Sequence, residues 1–145
     1  MTTAATSPGS ASTTSWKNAP TRSINVGGVE FAYRQLGPET GVPVVFLTHL
    51  AAVLDNWDPR VVDGIAVQHR VIAFDNRGVG ASSGSTPTSI EEMARDAVTF
   101  IRALGFDQVD LLGFSMGGMI AQVIAQQEPQ LVRKMILAGT GPAGG

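Results

Sequence analysis

The apolar positions of this chain fall into two patterns. Pro43 to Thr48 (PVVFLT) and Arg70 to Phe74 (RVIAF) are apolar runs without polar alternation, as expected of strands covered on both faces, and Val109 to Gly113 and Met135 to Gly139 read the same way. Ser23 to Val26 and Val29 to Arg34 are shorter extended runs joined by Gly27-Gly28, a pair that accepts positive φ and predicts an antiparallel hairpin. Between the later strands the period changes. Ile90, Met93, Ala94, Ala97, Val98, Ile101 and Leu104 follow the 3.6-residue repeat of a helix, with Ser89 and Glu92 placed for a capping box and Gly105 for the left-handed residue beyond the C-cap. A second helix is predicted from about Met116 to Gln127, stopped by Pro129. Strand and helix alternate, and parallel neighbours need such crossovers. The fold class is therefore α/β, with a mostly parallel sheet of about six strands, the first two an antiparallel hairpin, and helices on its flanks.

Composition narrows the partners. In 145 residues there are 12 acidic and 10 basic side chains, for a net charge of −2. The Lys and Arg residues are scattered singly apart from Arg133-Lys134, so no basic face is available to neutralise a phosphate backbone, and nucleic acid is excluded as a partner. Hydrophobic residues make up 43%, enough for a real core. The longest apolar stretch, Val42 to Leu54, is interrupted by Pro43, Thr48 and His49 and is too short to cross a bilayer, so no membrane partner is expected. With no cysteine there is no disulfide, thiolate zinc cluster or Cys nucleophile, and two histidines remain for imidazole chemistry. No metal and no cofactor are expected. Residues 1–20, rich in Ser, Thr and Ala, lack an apolar leader core and read as a disordered tail ahead of a domain at 21–145. A transit peptide is the rival reading, but the segment has no arginine and no amphipathic period; a cytoplasmic location is expected.

Chemistry gathers where strands end. Gly113-Phe114-Ser115-Met116-Gly117 is G-x-S-x-G between an apolar strand and a helix, the setting of a nucleophile elbow, in which the serine sits strained at a sharp turn with helix N-terminal amides close by. The bland reading is a glycine-rich turn with an idle serine; strand, spacing and helix together favour the elbow. Asp75-Asn76-Arg77-Gly78-Val79-Gly80-Ala81-Ser82 follows a strand but is a poor dinucleotide fingerprint, because the next glycine, Gly84, comes one residue late and a polar loop follows instead of a helix. Asp75 is read as structural, holding turn amides or Arg77.

With these motifs the chain resembles the α/β-hydrolase superfamily from Thr21 onward, and Ser-Met-Gly-Gly is especially similar to its cofactor-free haloperoxidase, perhydrolase and esterase branch. The resemblance implies that Ser115 attacks an acyl carbonyl and that the oxyanion is held by the backbone N–H groups of Met116 and Ala51. It makes His49 a support for the oxyanion loop. The glycine that normally follows that histidine is Leu50 here, and leucine does not adopt positive φ cheaply. Leu50 and Trp57 are candidate substrate-binding residues, with core packing the rival role for Trp57. Met116 and Met119 are candidates to shape an acyl pocket, and for Met119 the core is preferred.

A serine hydroxyl needs an imidazole to take its proton and a carboxylate to orient that imidazole, and in this family both follow the serine in the chain. After Ser115 the only carboxylate is Glu128, and there is no histidine. Glu128 lies thirteen residues on along the helix, about 20 Å away, too far to act as the acid. His49 is given a structural role by the resemblance, and no residue is evident to fix its tautomer; His69 reads as a surface residue. Triad acid and histidine are thus absent from this chain. It reads as the N-terminal portion of a serine hydrolase, ending before the seventh and eighth strands of the resembled sheet. The expected substrate is a small ester or related acyl compound, with perhydrolysis as a side activity and with little or no turnover by this portion alone. The alternative is a non-catalytic scaffold or interaction module. In either case the sixth strand is left as an apolar sheet edge that favours self-association.

Overall fold

The computed structural model describes residues 14–48 and 51–142. Strands β1 (Arg22–Val26), β2 (Val29–Leu36), β3 (Val44–Leu47), β4 (Val71–Phe74), β5 (Val109–Phe114) and β6 (Val132–Ala138) form one sheet in the order β1-β2-β4-β3-β5-β6. β1 and β2 pair antiparallel, β2 pairs antiparallel with β4, and the pairs from β4 to β6 are parallel. Helices α1 (Pro59–Ala66), α2 (Ile90–Ala103) and α3 (Met116–Gln127) supply the crossovers, with short 3-10 turns at Trp16–Asn18 and Leu54–Asn56. No helix among the described residues is long and apolar enough to cross a membrane.

Local chemistry sets the boundaries. Gly27 and Gly28 both take positive φ, and the Gly28 N–H donates to Asn25 Oδ1, closing the first hairpin. At the start of α2, Ser89 Oγ accepts from the Glu92 N–H at 3.1 Å. The Glu92 carboxylate turns to the Ser89 hydroxyl and towards Arg77, 3.7 Å away. At the other end Gly105, at φ 93°, carries a Schellman pair of bonds, its N–H to Arg102 O and the Phe106 N–H to Ile101 O.

The period-two rule explains the core. Val45, Leu47, Ile72 and Phe74 face one side of the sheet, where Met93, Ala97, Phe100 and Ile101 of α2 and Ile120 and Ile124 of α3 cover them. Val44, Phe46, Val71 and Ala73 face the other, beneath Val62 and Ala66 of α1, Leu54 and Trp16. Unbroken apolar runs are therefore what β3 and β4 require. Phe100, fully buried, stacks on Phe74 at 4.4 Å between centroids and meets Phe31 and Tyr33 at 5.8 and 5.5 Å.

Two boundaries differ most from the sequence reading. Packed structure begins ahead of residue 21: Trp16 is 1% exposed and Ala19 is buried, so residues 14–20 are corrected from disordered tail to part of the fold, while residues 1–13 lie outside the described residues. A single indole inserted into a core outweighs the polar average of its neighbours. β6 begins at Val132, ahead of the apolar run at Met135, because a register shift between Val109 and Leu111 accommodates the extra polar residue and lets Arg133 reach back to Asp110 of β5. That pair is bidentate, at 3.0 and 2.7 Å, and the carboxylate holds the Arg133 guanidinium above its ordinary pKa. Beyond it, Met135, Ile136 and Leu137 lie exposed along the sheet edge.

Replacing Phe100 by alanine is expected to cost about 3–5 kcal/mol, a large share of a small domain's stability, read as a lowered urea midpoint at unchanged slope.

Candidate active site

β5 ends at Phe114 and α3 begins at Met116, leaving Ser115 alone to reverse the chain. Ser115 has φ 58° and ψ −124°, the only positive φ of a non-glycine residue among the described residues. Such a conformation costs about 1–3 kcal/mol and persists only where the surroundings enforce it. Here they do. The Ser115 N–H donates to Ala138 O of β6 at 3.0 Å, and its carbonyl accepts from the Gly118 N–H at 2.9 Å. The Ser115 side chain does not cap α3, although serine is a favoured residue at that position.

The glycines act by contact. Neither Gly113 nor Gly117 has positive φ. A Cβ on Gly117 falls 2.0 Å from Leu47 O and 2.7 Å from Thr48 N, and one on Gly113 falls 2.5 Å from Gly117 O. The first turn of α3 is therefore pressed against the carboxyl ends of both β5 and β3, and only hydrogen fits between. Gly118, next in the sequence, is matched to Thr140 in the same way, at 2.4 Å from its Cγ2. The Thr140 hydroxyl oxygen is buried without a hydrogen-bond partner. The motif alone does not reveal this fit of Gly118 to Thr140; the doubled glycine is the available signal for the first, and nothing in the sequence marks the second.

Met116, at the first position of α3, carries one of the amides that a helix cannot satisfy internally. Its side chain packs, partly buried, against the core cluster between the sheet and the helices α2 and α3. Ala51 is exposed, while His49 and Leu50 just before it, the candidate loop support and substrate contact, lie outside the described residues. Trp57 is half-buried and bridges two settings: it meets core Phe46 edge-on at 4.9 Å and Phe114 at 6.5 Å. Phe114, 46% exposed, stands next to Ser115 as the variable position of the motif.

The Asp75 turn is structural in every contact. Asp75, 3% exposed, accepts from the Leu54 N–H at 2.9 Å and the Ala81 N–H at 3.0 Å, and a Cβ on Gly80 falls 2.4 Å from its Oδ2. Ser82 Oγ accepts from the Ala32 N–H and donates to Asp75 O. Of the two roles read for Asp75, it takes the turn amides; Arg77 pairs instead with Asp96 at 2.8 Å.

The other titratable candidates are elsewhere. Glu128 sits at the far end of α3 with its carboxylate on Arg102 at 2.7 Å. His69 is exposed ahead of β4, at the opposite rim from Ser115. A cleft of about 960 Å³ also opens at that opposite rim, lined by Gln35, Gly37, Glu39, Asp63 and Arg70, and has no part in chemistry at Ser115. No three His, Asp or Glu side chains converge as a metal site among the described residues.

A strained serine thus stands at the carboxyl rim of a mixed α/β sheet, with a helix N-terminus directly behind it. A model of the alpha/beta hydrolase fold family matches residues 42–144, and the chain belongs to that family. It is similar to an alpha/beta hydrolase fold protein from Chitinophaga pinensis, at 44% identity and a TM-score of 0.84 over 86% of this chain and 45% of that one. It is 33% identical to a non-heme chloroperoxidase of Streptomyces lividans over 79% of this chain and 42% of the relative. It is 34% identical to the proline iminopeptidase PfmaB of Pestalotiopsis fici over 83% of this chain and 44% of the relative. The chain thus spans less than half the length of the curated relatives it matches.

Gly117→Ala is expected to destabilise the fold by about 1–3 kcal/mol, because the methyl meets backbone that cannot swing aside. Thermal melts beside those of Gly64→Ala, where a Cβ meets nothing within 4 Å, check this; equal midpoints contradict the contact.

Proposed function

We propose that this chain carries the nucleophile and the oxyanion amides of a serine hydrolase acting on small carboxylic esters or related acyl compounds. The observation that carries the reading is the φ of 58° at Ser115 between two glycines whose hydrogens are required by backbone contact. Strain of this kind is retained where a reactive group repays it in function. In the proposed step Ser115 Oγ bonds to the acyl carbon and its proton passes to a base. The carbonyl electrons move to oxygen, held by the Met116 and Ala51 N–H groups, each worth about 3 kcal/mol in the transition state. The alcohol leaves with a proton, and water releases the acid from Ser115. Hydrogen peroxide in place of water releases a peracid from the same acyl-enzyme. Family membership supports the reaction class, and the spread of activities among the relatives, peroxidase to peptidase, leaves the acyl group to be read from residues beyond the elbow.

Base and acid are not found after Ser115: the sequence there holds no histidine, and Glu128 is occupied by Arg102. The second reading is a non-catalytic module that retains the elbow as scaffold. An organophosphonate separates the two. The expected result is slow but stoichiometric labelling of this chain, abolished in Ser115→Ala, with negligible turnover of 4-nitrophenyl esters. No adduct favours the module, and robust turnover lost in Ser115→Ala overturns the missing-base argument.

The edge strand supports self-association as a second property, since Met135, Ile136 and Leu137 are exposed beside unpaired backbone of β6. Sedimentation velocity is expected to show concentration-dependent association that Ile136→Lys reduces. A monomer at all concentrations contradicts this.

A further inference from the structure

Leu54 is gripped by two side chains from distant parts of the chain. Its N–H donates to Asp75 Oδ1 at 2.9 Å, and its carbonyl accepts from the Trp16 indole Nε1–H at 2.8 Å; both bonds are buried. Trp16 is itself anchored, its backbone N–H donating to Asp63 Oδ1 of α1 at 2.7 Å. Arg34 of β2 completes the arrangement. Its guanidinium lies 5.7 Å from the centre of the Trp16 ring, donates to Thr21 Oγ1 and pairs with Asp55 at 2.7 Å. Trp16 and Arg34 thus hold consecutive residues, Leu54 and Asp55, of the segment that begins at Ala51.

Within that segment the Val53 N–H donates to Asn56 Oδ1 at 2.8 Å and the Asn56 N–H donates to Val53 O at 2.9 Å, so residues 53–56 form a closed turn. Such a turn moves as a unit. Asp75 holds the peptide group on the N-terminal side of Leu54 through its N–H, and Trp16 holds the next peptide group through the Leu54 carbonyl. Removing the indole donor costs the Leu54 carbonyl a buried hydrogen bond, a larger penalty than loss of a solvent-exposed one.

We propose that Trp16 is a positioning residue for the oxyanion hole, its indole N–H fixing, through the Leu54 carbonyl, the segment 51–56 that carries the Ala51 amide. The inference rests on the reading of Ala51 as the second oxyanion donor. It gives the residues ahead of β1 a part in the chemistry at the carboxyl rim, through a side chain that does not touch substrate.

The test is Trp16→Phe, which keeps an aromatic ring beneath Arg34 and removes the donor. Residue-resolved amide exchange of this chain is expected to accelerate about tenfold across 51–56, with Val45, Ile72 and Leu111 within a few-fold of the parent. Ser115 phosphonylation is expected to slow about tenfold in its limiting rate with the inhibitor's apparent affinity unchanged, a split that simple loss of stability does not produce. Unchanged exchange at 51–56, or a uniform rise throughout the protein, overturns the clasp; loosened exchange with an unchanged labelling rate overturns its role at the oxyanion. If the parent takes no phosphonate, the nucleophile reading fails, and the exchange comparison alone decides whether Trp16 holds the segment. If Trp16→Phe does not fold, the parent decides it. The Trp16 indole proton and the Leu54 amide proton are expected to exchange through one opening, with matching protection, and a protected amide beside an unprotected indole overturns the proposal.

Discussion

Everything at the carboxyl rim depends on one steric contact, the approach of the first turn of α3 to the ends of β3 and β5. Gly117 lies so close to Leu47 O that no side chain fits, and none fits between Gly113 and Gly117 O either. With helix and strand fixed at this separation, one residue remains to reverse the chain, and Ser115 takes a backbone conformation that L-residues avoid. Its N–H is tied to β6 and its carbonyl to Gly118, so the strain does not relax into the helix. The hydroxyl is consequently freed from the capping role that serine ordinarily plays.

A second set of contacts organises the segments around this turn. The Asp75 carboxylate joins two loops by accepting from Leu54 and Ala81, and its burial leaves no room for a side chain on Gly80. Ser82 ties the same turn to β2 through Ala32. A motif that looks like a phosphate cradle in sequence is a clamp whose acceptors are already occupied by backbone amides. Trp16 extends the clamp to the segment ahead of β1, linking the start of the described chain to the loop after β3.

Much of this was legible in the sequence, for physical reasons that differ by element. β3 and β4 were readable because burial on both faces demands unbroken apolar runs, and α2 because Ser89 and Gly105 mark its ends with specific backbone chemistry. The elbow was readable because its two glycines answer to contacts that accept no substitute. Trp16 was not, since one buried indole in a Ser/Thr-rich segment leaves the local average polar; the packed structure therefore starts ahead of residue 21. The start of β6 was hidden behind Arg133-Lys134, whose polarity is absorbed by a bulge and an ion pair with Asp110. Thr140 depends on the fit to Gly118 across a connection that no local pattern encodes.

The proposed function requires that the folded backbone, and not the serine alone, make Ser115 reactive. The most direct measurement is peptide-mapped phosphonate labelling of this chain in native buffer and in denaturing urea at equal pH. The account predicts an adduct confined to Ser115 that disappears when the elbow unfolds. Equal labelling in both conditions, or adducts spread over other serines, contradicts it.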